Sequence, residues 1–304
     1  MKSRRWLLLL VVLAALAAAV RWYPPARLLA IVVAGRSPVC PLSNALKCAD
    51  NLRRQIAIKD RILAASREIE KDPAGYHLWD TPKGRYWMPA GSDYVLPFNL
   101  AEQERKIYGT GERAVRKGDV VLDCGANVGV YTREALEAGA SLVVAIEPAP
   151  ENIECLRRNF AAEIAAKRVI LYPKGVWDKD DEMVINVDPQ NSAADSFLIQ
   201  REGGIRGAKV PLVAIDKMVR ELNLPRVDYI KMDIEGAEQR ALVGARETLA
   251  RYHPRLALSA YHTPADPERI PVLVRAAWSG YRMECGPCAE TPDWRVRPDV
   301  LMFY

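Results

Sequence analysis

Residues 118 to 129 read Gly118-Asp119-Val120-Val121-Leu122-Asp123-Cys124-Gly125-Ala126-Asn127-Val128-Gly129. Residues 120–123 predict a buried parallel strand, and Gly125 and Gly129 mark a turn from which a helix opens. A glycine turn between a strand and a helix lets backbone N–H groups approach a small ligand closely. This unit therefore predicts a ligand-binding edge of a parallel sheet.

A second predicted strand, Leu142-Val143-Val144-Ala145-Ile146, follows that unit and ends on Glu147. An acidic residue at the tip of the second strand is placed to accept hydrogen bonds from the hydroxyls of a ribose. The glycine turn and Glu147 together predict a cofactor that contains a nucleoside.

The spacing of the turn indicates which cofactor this is. A dinucleotide fold would offer G-x-G-x-x-G, whereas here the pattern is Asp-x-Gly-x-x-x-Gly, with Asn127 where a pyrophosphate-binding glycine would stand. That pattern suits a cofactor with an amino-acid tail, because Asp123 can face an ammonium and the turn backbone can line the chain. S-adenosyl-L-methionine has such a tail and a ribose. The predicted cofactor-binding residues are Asp123, Gly125, Asn127, Gly129 and Glu147.

The chain after residue 119 alternates strands and helices, which predicts an α/β fold with a mostly parallel sheet. The predicted strands are 119–123, 142–147, 169–172, 227–233 and 256–260, and the predicted helices are 129–138, one that starts at Pro148 and Pro150, 215–222, 237–251 and 269–277. Residues 178–213 break the alternation and predict an inserted hairpin region. Residues 281–285 and 299–303 predict an antiparallel end to the sheet.

The N-terminal part of the chain differs from the rest. An apolar run, Trp6 to Val20, follows Lys2, Arg4 and Arg5, and a second apolar run follows Pro24-Pro25. These features predict a membrane anchor or signal-like segment at 1–35. A cleaved signal peptide, a tilted single anchor and a helical hairpin that turns at the two prolines all remain open.

Composition and charge limit the partners. The chain has 304 residues and a formal net charge of +5, and much of the positive charge lies near the apolar N-terminus. This distribution indicates a membrane surface rather than nucleic acid, and we recognise no DNA- or RNA-binding module. Basic residues flank the apolar region on both sides, so the positive-inside rule does not choose an orientation. We expect the catalytic domain to face the cytoplasm, because the predicted cofactor is made there.

A connector and cap are predicted between the anchor and the catalytic domain, at 36–94, with the catalytic domain itself at 95–304. Residues 43–72 predict a helix, since Ile58, Ile62, Ala65 and Ile69 form one apolar stripe. Residues 73–98 are rich in Gly, Pro and aromatic residues and predict short strands and turns. A further helix is expected at 100–108.

The cysteines predict no metal or redox centre. Cys40 and Cys48 could form a disulfide only in an oxidising compartment. Cys285 and Cys288 form a C-x-x-C, but two further zinc ligands at a suitable spacing are missing nearby. We expect this pair to be structural.

Three motifs carry a resemblance to a known family. They are the run from Asp123 to Thr132, the run Ile146-Glu-Pro-Ala-Pro-Glu-Asn152, and the run Ile230-Lys-Met-Asp-Ile-Glu-Gly-Ala-Glu238. Residues 95–303 thereby resemble the FkbM-type methyltransferases, which are S-adenosylmethionine-dependent enzymes. The resemblance implies a Rossmann-like class I methyltransferase fold with a seven-stranded sheet and an antiparallel C-terminal strand. It also implies methylation of hydroxyl oxygens on sugars, polyketides or other small molecules.

The candidate catalytic residues are Asp233, Glu235 and His262. Ligands of open α/β sheets bind beyond the carboxyl ends of the strands, where all three follow a predicted strand. His262 is the first candidate for the general base, although the family often has Glu-x-His here and this chain has Ser259 in place of the acid. A metal triad of the three residues is conceivable, but no dense ligand cluster supports it, so we expect no metal.

The leading hypothesis is therefore a membrane-associated O-methyltransferase that acts on a small molecule, a sugar or a lipid-linked glycan. Two alternatives stay open. One is a nicotinamide-dependent oxidoreductase. The other is a non-catalytic membrane-anchored scaffold that keeps a decayed methyltransferase domain, which Ser259 would explain. Nucleic acid is not an expected partner, and the oligomeric state is left open.

Overall fold

A computed structural model describes residues 2–200 and 202–304. The helices are α1 (Lys2–Trp22), α2 (Pro24–Val33), α3 (Leu42–Ala45), α4 (Cys48–Ala64), α5 (Val95–Glu104), α6 (Val130–Glu137), α7 (Pro150–Asn159), α8 (Ala161–Ala165), α9 (Ile215–Glu221), α10 (Glu238–Val243), α11 (Arg246–Tyr252) and α12 (Asp266–Ala277). The strands before the insertion are β1 (Arg67–Asp72), β2 (Tyr76–Thr81), β3 (Gly84–Pro89), β4 (Val120–Cys124), β5 (Leu142–Ile146) and β6 (Val169–Tyr172). The remaining strands are β7 (Gly175–Trp177), β8 (Asp181–Val187), β9 (Ile205–Ala214), β10 (Tyr229–Met232), β11 (Arg255–Ser259), β12 (Met283–Cys285), β13 (Cys288–Glu290), β14 (Val296–Pro298) and β15 (Val300–Phe303).

The main sheet of the described residues has seven strands in the order β12-β15-β11-β10-β4-β5-β6. Strands β4, β5, β6, β10 and β11 are mutually parallel, and β15 runs antiparallel between β11 and β12. The expected mostly parallel sheet with an antiparallel C-terminal strand is confirmed. The strand order reverses between β4 and β10, which places a crevice at their carboxyl ends, where ligands of such sheets bind.

Apolar strands explain this architecture. Strands β4, β10 and β15 are buried along their whole length, as expected for strands covered by helices on both faces. The inserted region forms a separate small sheet, in which β9 lies between β7 and β8. This confirms the hairpin expected within 178–213.

The helix expected at 237–251 is divided in two. Helices α10 and α11 are separated at Gly244, which packs so tightly that an added Cβ would lie 2.1 Å from the carbonyl oxygen of Trp177. The carbonyl of Gly244 also accepts the N–H of Asp216 at the start of α9 (2.8 Å). Close contact with neighbouring backbone therefore sets the break, and Gly244 inside the predicted helix was its local signal.

The N-terminal helices behave differently from each other. Helix α1 is exposed from Arg4 to Ala18, and the segment Arg4–Trp22 is the one helix of the described residues long and apolar enough to span a membrane. Helix α2 instead packs on the domain, where Leu28 and Ile31 are buried in its main core. Arg27 of α2 also pairs with Glu290, with a 2.9 Å hydrogen bond from its Nη2 to Oε2.

The connector expected at 43–72 is helical only in part. Helix α4 ends at Ala64, and residues 67–72 form β1, which pairs antiparallel with β2. Helical spacing of Ala65 and Ile69 was therefore misleading, because cross-strand pairing with β2 outweighs the local pattern. Strands β2 and β3 confirm the short strands expected at 73–98. The helix expected at 100–108 is α5, which begins earlier and ends at Glu104.

A disulfide forms at Cys40, but not with Cys48, the partner considered from the sequence for an oxidising compartment. Cys40 bonds to Cys288, 248 residues away, whereas Cys48 is a buried thiol. The bond fastens the segment after α2 to β13. Of the C-x-x-C pair, Cys288 has this structural role, and Cys285 is a buried thiol.

Candidate active site

The turn after β4 is built around Glu147, the residue after β5. Its Oε2 accepts the N–H of Asn127 (2.8 Å), and its Oε1 accepts the N–H of Ala149 (3.0 Å). Asn127 has φ of 49°, a left-handed conformation that asparagine tolerates better than most residues. Burial is the main cause that raises the pKa of Glu147 to about 7. Glu147 thus fixes the loop that the sequence assigns to the cofactor.

Asp123 does not face the crevice. Its carboxylate is fully buried, accepts a hydrogen bond from Thr132 Oγ1 (2.7 Å) and lies 3.3 Å from Lys231 Nζ. Lys231 is the register partner of Asp123 across β10 and β4, and it also donates to the carbonyl oxygen of Gly125 (2.8 Å). The pair therefore supports the glycine turn from behind. Sequence reasoning assigned no role to Lys231, although a lysine within an apolar strand was a usable signal.

Asp233 lies at the carboxyl end of β10 and does face the crevice. Its Oδ2 accepts a hydrogen bond from Tyr108 Oη (2.8 Å), and its Oδ1 lies 3.4 Å from Tyr261 Oη. Burial alone would raise the pKa of Asp233, but the positive charges of Lys231 and His262 outweigh that cost, so the pKa is lowered. Asp233 is thus held as a carboxylate between two tyrosines that sequence reasoning had not singled out.

His262 lies behind Asp233, and its side chain is only 2% exposed. Its Nδ1 is 2.9 Å from Glu238 Oε1, and its Nε2 is 3.4 Å from both Asp233 Oδ1 and Glu235 Oε1. Burial alone would lower the pKa of His262, but the surrounding carboxylates outweigh it and raise the pKa to about 11. An imidazole that already carries its proton cannot accept another. The structure therefore does not support His262 as a general base.

Two adjoining cavities occupy the crevice. The larger, of about 320 Å³, is lined by aromatic and polar groups, among them Phe98, Glu102, Tyr108, Lys231 and Tyr261. The smaller lies beside Glu147, Val176 and Phe197. Gly125, Asn127, Asp233 and Glu235 border both cavities, so they form a common wall. The space between Gly125 and Glu147 is a narrow cavity of about 50 Å³, while Asp123, Gly129 and His262 lie outside both linings.

A segment of the insertion closes one side of this crevice. The carbonyl oxygen of Ser192 accepts hydrogen bonds from the side-chain amides of Asn127 (3.1 Å) and Asn152 (3.0 Å). Ala193 lines both cavities and Asp195 lines the smaller one. Sequence reasoning found the inserted hairpin but assigned it no place at the site, because only the folded chain brings it over the glycine turn.

Gly125→Ala tests how tightly the crevice is built. Gly125 has φ of 77°, and an added Cβ would lie 1.9 Å from the carbonyl oxygen of Asp233. We expect a loss of about 1–2 kcal/mol of folding free energy from the left-handed backbone, and a further loss as Asp233 is displaced. Denaturant unfolding measures the sum. Gly75→Ala is the matched control, since Gly75 has φ of 88° and open space around its Cβ position. Equal losses in the two variants would contradict the close contact.

Comparison with known proteins agrees with this arrangement. The FkbM-domain methyltransferase family matches residues 123–283. One relative is the 31-O-demethyl-FK506 methyltransferase FkbM of Streptomyces tacrolimicus, to which the chain is 26% identical over 168 residues. The aligned region covers 44% of this chain and 62% of the relative. A second relative is the hexuronic acid methyltransferase AglP of Haloferax volcanii, to which the chain is 25% identical over 160 residues. That alignment covers 52% of this chain and 62% of the relative. The matches thus span less than two thirds of either curated relative.

Among solved structures, an FkbM methyltransferase from Methylobacillus flagellatus is 19% identical, with a TM-score of 0.46 over 85% of this chain and 60% of that one. The family match takes in the glycine turn, Glu147 and the Asp233–Glu238 motif, and it extends over more than half of the chain. The protein is a member of the FkbM methyltransferase family.

Proposed function

We propose that the chain transfers the methyl group of S-adenosylmethionine to a hydroxyl oxygen of a small molecule, sugar or lipid-linked glycan. In this proposal residues 95–304 form a Rossmann-like class I methyltransferase domain, in line with the strand order of the main sheet. The observation that carries the proposal is the narrow cavity between Gly125 and Glu147, which adjoins a larger cavity across a wall that includes Asp233 and Glu235.

The two cavities suggest how the cofactor would lie. Glu147 borders the smaller cavity, so we assign that side to the adenosine, with the carboxylate of Glu147 on the ribose hydroxyls. The backbone at Gly125 and Asn127 would line the methionyl chain, whose methyl group would then face the larger cavity. Asp123 has a different role from the one expected, because its carboxylate holds Lys231 rather than an ammonium in the crevice.

The larger cavity suits a hydroxylated acceptor. Three carboxylates, those of Glu102, Asp233 and Glu235, can accept hydrogen bonds from hydroxyl groups, and the rings of Tyr108 and Tyr261 add flat contact surfaces. Burial and the nearby charge of Asp233 raise the pKa of Glu102 to about 8, so at neutral pH this side chain can also donate a hydrogen bond. The name of one relative, a 31-O-demethyl-FK506 methyltransferase, favours oxygen methylation, and that of the other, a hexuronic acid methyltransferase, favours a sugar acceptor.

In the reaction, the acceptor oxygen attacks the methyl carbon while the carbon–sulfur bond breaks, its electron pair passes to sulfur, and the hydroxyl proton leaves to solvent by way of the carboxylate of Asp233. Because the sulfonium is already activated, alignment of the two reactants is the main task of the protein. We assign the orientation of the acceptor hydroxyl to Asp233 and Glu235. His262, which does not reach the cavity, holds these two carboxylates in place rather than serving as the base.

The N-terminal helix indicates where in the cell the proposed enzyme would act. The exposed apolar helix Arg4–Trp22 would anchor the chain to a membrane. The supply of S-adenosylmethionine favours a domain on the cytoplasmic side, where Cys40 and Cys288 would be kept as thiols. The disulfide between them favours an oxidising compartment instead. We give more weight to the cofactor, since the reaction cannot run without it.

A tracer experiment tests the proposed function. The full chain is incubated with methyl-labelled S-adenosylmethionine and extracts of the native host, and labelled compounds are identified by mass spectrometry. We expect a methyl ether, formed roughly 10²–10⁴-fold more slowly by Asp233→Asn. Asp180→Asn is the matched control, because Asp180 pairs with Lys217 on the surface, 51% exposed. Cofactor binding without any labelled product would favour the non-catalytic scaffold.

A further inference from the structure

Exposed apolar side chains are concentrated in one part of the chain after α1. Residues 23–63 expose eight large ones, which are Tyr23, Leu29, Val33, Leu42, Leu46, Leu52, Ile56 and Leu63. The far longer described part of 64–304 exposes nine in all. Single exposed apolar residues are normal on a protein surface, whereas a concentration of them marks an interaction site. The region between α1 and the end of α4 therefore has the character of an interface.

Helix α4 carries the most regular of these side chains. Leu52, Ile56 and Leu63 lie at positions i, i+4 and i+11, so they share one stripe along the helix. All three are exposed, whereas Ile62 faces the domain and is buried. Helix α4 thus packs on the domain with one face and presents a second, apolar stripe to its surroundings.

The charge around this stripe indicates the chemistry of its partner. Residues 47–64 hold five basic and two acidic side chains. Among the basic ones, Arg54 is exposed and makes no ion pair within the described part of the chain. A second copy of this helix would bring like charges together, which disfavours self-association. An apolar stripe beside basic side chains is typical of helices that lie on anionic membranes.

The stripe lies on the same side of the domain as the apolar N-terminal helix. Helix α2 follows α1 after a single residue, Tyr23. Helices α2, α3 and α4 all contact the hairpin of β13 and β14. A membrane that holds α1 would therefore lie close to α4 as well.

The mouth of the larger cavity adjoins this stripe. Tyr94 and Phe98 line the cavity and are also exposed, so they lie at its opening. Lys59, which shares the stripe of α4, has its Nζ 5.2 Å from the centroid of the Phe98 ring. Gln55 Nε2 donates a hydrogen bond to the carbonyl oxygen of Phe98 (3.2 Å). A surface that covers the stripe would thus also meet the opening of the cavity.

We propose that Leu52, Ile56, Leu63 and Phe98 lie on an anionic phospholipid bilayer, with the larger cavity opening at its surface. The acceptor is then a lipid-linked glycan, whose lipid stays in the bilayer while its sugar enters the cavity. This inference rests on the proposed function, which it deepens by choosing one of the acceptor classes. A cavity that opens at the bilayer favours such an acceptor over a freely dissolved one, because the lipid holds the sugar at the opening.

Fluorescence quenching by lipids tests the membrane contact. All six native cysteines are buried, so a maleimide dye reacts with an introduced one. The full chain with Leu52→Cys or Ile56→Cys is labelled with an environment-sensitive dye. It is then reconstituted in vesicles of phosphatidylcholine and phosphatidylglycerol that contain doxyl-labelled lipid. We expect quenching that places the dye roughly 5–10 Å into the headgroup and acyl boundary. Quenching should weaken in vesicles of phosphatidylcholine alone.

Arg220→Cys is the matched control, because its side chain is 63% exposed, much as Leu52 is. It lies on α9, beside β6 at the edge of the main sheet opposite β12. We expect no quenching there, and thermal unfolding verifies that each labelled chain is folded. Equal quenching at all three positions would overturn the proposal, and so would its absence at Leu52→Cys and Ile56→Cys. A dye that is shielded at these two positions but not quenched by lipid would indicate a protein partner instead.

The acceptor is tested separately with methyl-labelled S-adenosylmethionine. We expect the labelled product to extract with the lipids and to be identified by mass spectrometry as a methylated glycan on a lipid. A labelled product that stays in the aqueous phase would overturn the choice of a lipid-linked acceptor. Quenching at Leu52→Cys without any labelled product would support the membrane contact and count against the proposed function, so the two failures are distinguishable.

Discussion

Lys231→Met is expected to lower the free energy of unfolding by about 3–5 kcal/mol, because it leaves the carboxylate of Asp123 buried without a counter-charge. Asp123 is fully buried, and its remaining side-chain partner is the hydroxyl of Thr132. Burial already raises the pKa of Asp123 even with Lys231 present. The same substitution removes the hydrogen bond that holds the carbonyl of Gly125, so the glycine turn should loosen as well. Urea unfolding at neutral pH measures the loss.

The double variant Asp123→Asn/Lys231→Met is the control for that explanation. It removes the uncompensated charge, so we expect it to regain part of the stability that Lys231→Met loses. The pH dependence has a definite sign. Without Lys231 the folded state holds a proton on Asp123 more tightly than the unfolded state does, so the single variant should become less destabilised as the pH falls. A loss below about 1 kcal/mol at neutral pH would show that the pair is not a support of the turn.

Glu147→Ala is expected to weaken the binding of S-adenosylmethionine about 10- to 100-fold. Removal of the carboxylate takes away the proposed ribose partner, and a hydrogen bond to a charged group contributes about 1.5–3 kcal/mol. It also releases the N–H groups of Asn127 and Ala149 that shape the loop. Calorimetric titration at pH 8 measures the effect, since the pKa of Glu147 is raised to about 7 and the carboxylate is then ionised.

Glu247→Ala serves as the matched control for this titration. Glu247 is 75% exposed on α11 and pairs with Arg220 at the surface, away from both cavities. We expect its affinity for the cofactor to equal that of the unaltered chain. Thermal unfolding of both variants separates loss of a ligand contact from loss of the fold. Unchanged affinity in a folded Glu147→Ala chain would remove Glu147 from the cofactor site.

Much of the sheet could be predicted from the sequence because its central strands are buried on both sides. Uninterrupted apolar runs between glycine or proline turns locate β4, β5 and β6 within a residue or two. The positions of Gly125 and Glu147 were also readable, since each stands at the end of such a run. The hairpin in the insertion and the antiparallel end followed from residues that break the strand–helix alternation.

The remaining features depend on contacts between distant parts of the chain. Helical spacing does not reveal that residues 67–72 pair with β2, and nothing near Cys40 indicates Cys288 as its partner. The role of Lys231 as the charge partner of Asp123 follows only from the strand register that places the two residues side by side. The contact between His262 and Glu238 was hidden for a similar reason, because the carboxylate of Glu238 reaches the imidazole only after α10 folds back toward the end of β11.

The site therefore consists of two linked parts. One is the glycine turn, held in front by Glu147 and from behind by the pair of Lys231 and Asp123. The other is the wall of the larger cavity, where Asp233 and Glu235 meet the buried imidazole of His262. In the proposed function, the first part binds a nucleoside cofactor with an amino-acid tail, and the second orients the acceptor.

Calorimetric titration of the unaltered full chain with S-adenosylmethionine tests the central claim most directly. The claim is that the crevice at the carboxyl ends of β4, β5 and β10 binds this cofactor. It predicts saturable binding of one molecule per chain, which S-adenosylhomocysteine competes away and NADH does not. A folded chain that takes up NADH, or that gives no binding heat with either S-adenosyl compound, would contradict it.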